Sequence, residues 1–203
     1  PIGKPAWSSD RTLSATLRSS SLLRHLGPGG PEYEVRFTPG GDSAVTTMRR
    51  PGTDNLDLVL LTRDSLVWLT KSERDDVQPR FVSDRSGVVF LSSRWSPQGD
   101  DNNDLAFLSF SDGQVRQITA TQDIDHGPVP APDGTRIGFV RNPRESGPRQ
   151  PCVVTWDGSS TTCVTTAGIV PIEPVGWLDN LHMLLLARQE GTAVIVKVNT
   201  RTG

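Results

Sequence analysis

Five segments of this chain repeat one outline: a residue that opens the segment, a tight turn, then an alternating strand. They are PAWSSDRTLSATLRS from Pro5, VRFTPGGDSAVTTMR from Val35, PRFVSDRSGVVFLSS from Pro79, PVPAPDGTRIGFVRN from Pro128 and PVGWLDNLHMLLLAR from Pro174. From Pro79 to Pro128 is 49 positions and from Pro128 to Pro174 is 46, a period typical of stacked supersecondary units. Such a repeat constrains the fold more than any single motif. One small unit cannot bury its own apolar surface and must cover it with copies of itself.

After the first strand of a unit comes a polar loop, then a second run at Leu56–Leu61, Leu105–Phe110, Cys152–Trp156 and Ala193–Val198. A turn and a third run follow, at Ser65–Leu69, Val115–Thr119 and Thr161–Thr165. Short runs rich in Val, Ile, Thr and Phe and punctuated by Gly, Asp and Asn are strands. No sustained helical period is present. Leu17–Leu26 has room for one or two helical turns, but it carries three consecutive serines and ends at Gly27-Pro28-Gly29-Gly30. Three- or four-stranded sheets packed radially bury both faces and leave only short edges, which is the β-propeller solution. The chain is therefore expected to be one all-β propeller domain over residues 1–203, with units of approximately 1–30, 31–76, 77–123, 124–169 and 170–203. Asp133-Gly134 supplies the tight turn, Pro132 fixes φ before it, and Ile137 and Phe139, with Val89 and Leu91 as their counterparts, face the neighbouring blade.

The patterns QPRFVSDRSGVVFLSSR (Gln78–Arg94) and GPVPAPDGTRIGFVRN (Gly127–Asn142), each followed by a strand and a closing Gln-Ile-Thr or Cys-Val-Thr, resemble the WD40-like PD40 repeats of TolB-type β-propellers. The resemblance covers Pro79–Thr166 well, Val35–Thr70 less well and the two ends weakly. Pro-Asp-Gly is replaced by Ser-Asp-Arg at Ser83–Arg85 and by Leu-Asp-Asn at Leu178–Asn180. The family usually has six blades, which implies either an incomplete ring or terminal segments that complete one blade together. It implies little about role, because function lives in sites grafted on the fold.

A net charge of -2 and a pI near 5.9 provide no basic field for a phosphate backbone, so nucleic acid is not an expected partner. The longest apolar runs, Leu56–Leu61 and Met183–Ala187, are far shorter than the ~20 residues of a spanning helix. The chain opens at Pro1 without a signal-peptide pattern and stops at Arg201-Thr202-Gly203 just after a strand-like run. It is expected to be a piece of a longer protein, one that carries any membrane anchor elsewhere.

Cys152 and Cys163 flank VVTWDGSSTT. If Asp157-Gly158 is a two-residue turn, opposed positions share the sum 315 and the cysteines face one another within disulfide reach. A four-residue turn over Asp157–Ser160 would instead place Cys163 opposite Val154. A cross-strand disulfide would put the domain outside the cytoplasm, in a periplasmic, cell-surface or secreted setting. Two half-buried free thiols are the other reading.

The sequence lacks a Gly-x-Ser-x-Gly elbow, a P-loop and a Gly-x-Gly-x-x-Gly turn, and His25, His126 and His182 lie far apart. No catalytic residue is expected within this chain. Asp100, Asp101 and Asp104 offer hard oxygen ligands at the short spacing calcium favours, in a polar hairpin loop, without the Gly and distal Glu of an EF-hand. Carboxylates also recur just before the opening prolines: Asp75 and Asp76, then Asp123 and Asp125 with His126, then Glu173. Connections into an innermost strand lie at a channel mouth, where convergent polar groups would make a ligand site. Trp95, in Ser-Arg-Trp-Ser-Pro, is a candidate surface contact for protein or sugar. Trp68 and Trp156 read as strand packing residues, and Trp7 and Trp177 as structural ones near opening turns.

The function expected is that of a non-catalytic, extracytoplasmic propeller binding a protein, peptide or glycan as the sensor or interaction module of a larger envelope protein. The alternatives are the gating propeller of a prolyl-oligopeptidase-like serine peptidase, with its catalytic residues outside this chain, and a polysaccharide-active propeller with a channel metal.

Overall fold

The computed structural model describes residues 35–38, 41–82, 84, 86–97 and 102–203. These residues form fifteen strands and no helix. The first unit, Trp7, His25 and the Leu17–Leu26 stretch lie outside the described residues. The strands make four antiparallel sheets whose spatial order is their chain order. Blade 1 holds β1 (Arg36–Phe37), β2 (Ser43–Arg49), β3 (Leu56–Thr62) and β4 (Leu66–Trp68). Blade 2 holds β5 (Asp76–Phe81), β6 (Gly87–Ser92), β7 (Asp104–Ser109) and β8 (Val115–Gln117). Blade 3 holds β9 (Ile124–Pro130), β10 (Arg136–Asn142), β11 (Gln150–Thr155) and β12 (Thr161–Cys163). Among the described residues blade 4 has three strands, β13 (Val170–Trp177), β14 (His182–Gln189) and β15 (Thr192–Asn199).

Each middle blade buries both faces, as alternation along its second strand requires. Val88 and Phe90 of β6 pack with Val45 and Leu58 of blade 1. Val89 and Leu91, one residue out of phase, pack with Ile137, Phe139, Cys152 and Val154 of blade 3. Burying each of the fully enclosed rings Phe90 and Phe139 stabilises the fold by roughly 1.5–3 kcal/mol. The expected pairing of Val89 and Leu91 with Ile137 and Phe139 is thus a meeting across the junction rather than an equivalence. The equivalents, 49 positions apart, are Val88 and Phe90. Val89 corresponds to Gly138, which is a glycine for a spatial reason. A Cβ there would lie 2.4 Å from Met183 Sδ and 2.9 Å from the Trp177 ring, and that ring reaches across to donate from Nε1 to the Val129 carbonyl at 3.0 Å.

The prolines that open the repeats sit inside strands. Pro79, Pro128 and Pro174 belong to β5, β9 and β13, the inner strand of each sheet, whose other edge faces no partner strand among the described residues. A residue without an N–H is tolerated on such an edge. Each of these strands also shows a register shift against its neighbour, near Pro79, between Gly138 and Val140, and around Glu173.

Cys152 pairs with Cys163 across β11 and β12 and forms a disulfide with Cα atoms 4.0 Å apart. The register is the expected one, but the connection is a four-residue loop, Trp156–Ser159, closed by the Thr155 N–H donating to the Ser160 carbonyl. It has the same midpoint as the two-residue turn, so the cysteines stay opposed. Asp157 stabilises it by accepting from Thr155 Oγ1, Ser159 N and Ser159 Oγ, which holds its carboxyl down at about 2.

Candidate functional site

The junction between blades 2 and 3 is built on a polar relay. Asp125, second residue of β9, is fully buried. Its carboxylate accepts from Arg141 Nε at 2.8 Å and Nη2 at 3.1 Å, on the adjacent strand, and from Thr119 Oγ1 at 2.8 Å, behind β8 of the preceding blade. Thr119 Oγ1 in turn accepts from the Leu105 N–H at 2.8 Å. It lies 3.4 Å from Asp104 Oδ1. Asp104 also accepts from Gln117 Nε2 at 3.0 Å and from the Thr121 N–H at 3.3 Å. A hydroxyl has one proton, and the shorter contact assigns it to Asp125. Loss of hydration raises the Asp104 carboxyl above its ordinary range, against the hydrogen bonds of Thr121 and Gln117.

The same device recurs 49 positions earlier, where Asp76 accepts from Ser92 Oγ at 2.6 Å and from Arg94 Nη2. Beside it Thr70 Oγ1 donates to Asp57 Oδ1 at 3.0 Å and accepts from Leu58 N at 3.0 Å. Arg50 Nε lies 3.4 Å from the second Asp57 oxygen. In blade 4 the residues in register with this network are Pro171 and Ala187, so the third junction is apolar there.

A cleft of about 460 Å³ opens at the second junction, at the end where β9 begins. Its walls include Trp95 and Pro97 after β6, Asn102 and Asp104 at the start of β7, Gln117 and the 120–122 connector after β8, and Arg144 after β10. The Trp95 side chain is held from below. Asp76 and Ser92 fix Arg94, with Arg94 Nε donating to Ser92 Oγ at 3.0 Å, and the guanidinium carbon stands 5.5 Å from the Trp95 ring centroid. Around Trp95, Arg74 Nη2 donates to the Pro97 carbonyl at 3.0 Å, Ser96 Oγ donates to the Asn102 carbonyl, and Asn102 Nδ2 donates to the Thr121 carbonyl. Trp95 is 38% exposed, while Thr121 Oγ1 is buried with no hydrogen-bond partner.

Two residues that the sequence suggested separately, Trp95 and Asp104, line the cleft, while Asp123 and Asp125 connect to it through Arg144 and through Thr119. Their roles differ from those expected. Asp76 and Asp125 offer no surface to solvent and neutralise guanidinium groups. Asp104 starts β7 instead of lying in a loop and is buried against side chains and an N–H. Asp100 and Asp101 lie outside the described residues, and among the described residues no cluster of three or more His, Cys, Asp or Glu is placed to hold a metal. Asp123 accepts from the Arg144 N–H at 3.2 Å and stands 3.9 Å from Arg141 Nε. Asp75 is half-buried and accepts from Leu56 N at 2.8 Å. His126 is half-buried on β9, its pKa lowered by burial and by the charge of Arg149. Glu173, one blade further on, packs beside Gly127, whose missing Cβ would lie 3.3 Å from the Glu173 Cβ. The sequence reading missed Gln78, which shares a left-handed backbone with Gly127, at φ of 55° and 60°. Its Oε1 accepts from the Gly127 N–H at 2.9 Å and links two inner strands. The spacing of 49 between the two was the available signal. It also missed the amide wall of Asn102, Gln117 and Gln122, which no local pattern marks.

No protein-family model and no curated protein sequence matches the chain. Solved structures do. TolB from Acinetobacter baumannii superposes with a TM-score of 0.69 at 17% identity over 84% of this chain and 41% of that one. A putative TolB from Agrobacterium tumefaciens gives 0.71 at 16% identity over 86% and 64%. A puromycin-hydrolyzing peptidase from Mycobacterium tuberculosis gives 0.61 at 16% identity over 85% and 28%. The chain thus spans less than two thirds of each of these proteins and shares with them the blade architecture of a TolB-like β-propeller.

Proposed function

We propose that the chain is a non-catalytic binding propeller, the sensor or interaction module of a larger envelope protein, and that it works outside the cytoplasm. The observation that carries the reading is the cleft at the second junction, where an exposed indole on a fixed support faces polar side chains. The nearby buried carboxylates support a scaffold role over an acid–base one, because Asp76 and Asp125 are committed to guanidinium groups. The Cys152–Cys163 disulfide supports an oxidising location, where such bonds persist. The reading to test against it is a gating propeller beside a hydrolase domain, since the same fold occurs in a solved peptidase.

The test is heteronuclear NMR on the purified chain with two probe sets, proline-containing dipeptides and neutral saccharides, together with turnover assays on the corresponding chromogenic anilides and glycosides. Shifts clustered on 95–97, 102–104, 117–122 and 144 from at least one set, without turnover, are the expected result. Turnover by the chain alone, or shifts confined to other surfaces, would overturn it. Melting temperature raised by calcium chloride would favour a channel metal instead.

A further inference from the structure

We infer that this cleft is a saccharide site, taking one face of a neutral pyranose ring on Trp95; the inference rests on the binding reading above and names the ligand class for it. Four observations converge. The cleft volume of about 460 Å³ lies within the range of small-molecule sites, well below what a folded partner would fill. Its lining includes a tryptophan ring, large and amphipathic, suited to the C–H face of a sugar. That ring is ordered before any ligand arrives, because Arg94 beneath it is anchored by the buried Asp76 and Ser92 Oγ, so little side-chain entropy is lost on binding.

The polar wall has the matching chemistry. Gln117 and Gln122 bring amides to it, which both donate and accept as hydroxyls do. Gln117 is held by its Nε2 donation to Asp104, leaving its carbonyl oxygen without a partner in that bond. The two charged residues on the wall, Asp104 and Arg144, have opposite sign. Neither sign of charge predominates among these lining residues, which suits a neutral polyol. A peptide is the weaker fit, because extended peptides are recognised by main-chain pairing along a sheet edge, and the outer strand at this cleft, β8, is only three residues long.

The experiment is saturation-transfer NMR followed by calorimetry on the folded chain. The probes are glucose, galactose, N-acetylglucosamine and the disaccharides cellobiose, lactose and diacetylchitobiose, each at up to about 10 mM, enough to detect a Kd near 1 mM. Saturation of ring C–H protons by at least one probe is expected. Trp95→Ala should weaken that probe about tenfold and Trp95→Phe less, as a stacking contribution requires. Gln122→Ala, on an exposed residue, checks the polar wall in a variant that leaves the ring in place, with an expected loss of several-fold. Absence of saturation by every saccharide, while a proline dipeptide shifts the cleft residues, would overturn the saccharide assignment and leave the binding reading standing. Saccharide binding unchanged in both variants would overturn it too, by placing the site elsewhere.

Discussion

The buried pair of Asp125 and Arg141 gives the sharpest test of how the blades are joined. Asp125 is fully buried and the Arg141 side chain is 12% exposed. Removing either partner leaves the other uncompensated. Breaking a buried pair in this way costs about 3–5 kcal/mol. Asp125→Asn belongs at the lower end, because Arg141 keeps Asp123 at 3.9 Å. Arg141→Met belongs at the upper end at neutral pH, since it strands Asp125 near Asp104, a second carboxylate on the same hydroxyl. The double variant should cost about as much as the worse single change, giving a coupling of about 3 kcal/mol. For a domain of this size each kcal/mol moves the melting temperature by about 2–4 °C, so Asp125→Asn should melt some 6–12 °C lower. Urea titrations followed by tryptophan fluorescence at pH 7 supply the free energies. The singles also differ in pH dependence: acidification should recover part of the Arg141→Met loss, because a stranded carboxylate can take up a proton, and none of the Asp125→Asn loss. Strictly additive effects, or single losses below about 1 kcal/mol, would refute a buried, coupled pair.

Gly138→Ala should destabilise by about 1–3 kcal/mol through overpacking against Met183 and Trp177. Met183→Leu, which withdraws the clashing sulfur, should restore part of it, and chemical denaturation reads both. His126 has a folded pKa below its ordinary 6.5. The unfolded chain therefore binds the proton more readily, and the His126 contribution to stability is present above that pH and falls away as pH drops below it. Melting curves from pH 7 to pH 5 should show a shallower decline in His126→Gln, and an unchanged slope would count against the assignment. Replacing Cys152 and Cys163 with serine removes a crosslink between positions 11 apart and should cost about 3 kcal/mol. Intact mass after alkylation without reductant should show neither cysteine modified in the parent chain.

The architecture was legible because it depends on spacing, and spacing survives weak motifs. The 49-residue step locates Val88 and Phe90 on Ile137 and Phe139 even though Ser-Asp-Arg stands where the repeat expects Pro-Asp-Gly. Errors arose where a one-residue choice decides direction. Val89 and Leu91 share the apolar character of Ile137 and Phe139, yet alternation sends the two sets to opposite faces. The disulfide register came out correctly from an incorrect turn, since only the midpoint of the loop fixes which residues oppose.

The carboxylates were harder because their partners lie on another strand. Nothing near Asp125 in sequence shows that Arg141, 16 positions on, will cover it, or that Asp76 will find Arg94, 18 positions on. A carboxylate near a predicted channel mouth looks like a ligand group until the adjacent strand supplies the cation. That cation then gives the acid a different link to function. Asp76 never reaches the cleft, yet through Arg94 it sets the position of the one large aromatic ring on the cleft wall. The polar junctions consequently have two effects: they register one blade on the next, and they fix the loops that the blades carry. In blade 4 the positions in register with Asp125 and Arg141 are Pro171 and Ala187, and stacking there relies on Trp177 and Met183 against Gly138. Blade stacking as such can thus proceed without the ion pair, and the relay is best understood as the support of the cleft at the second junction.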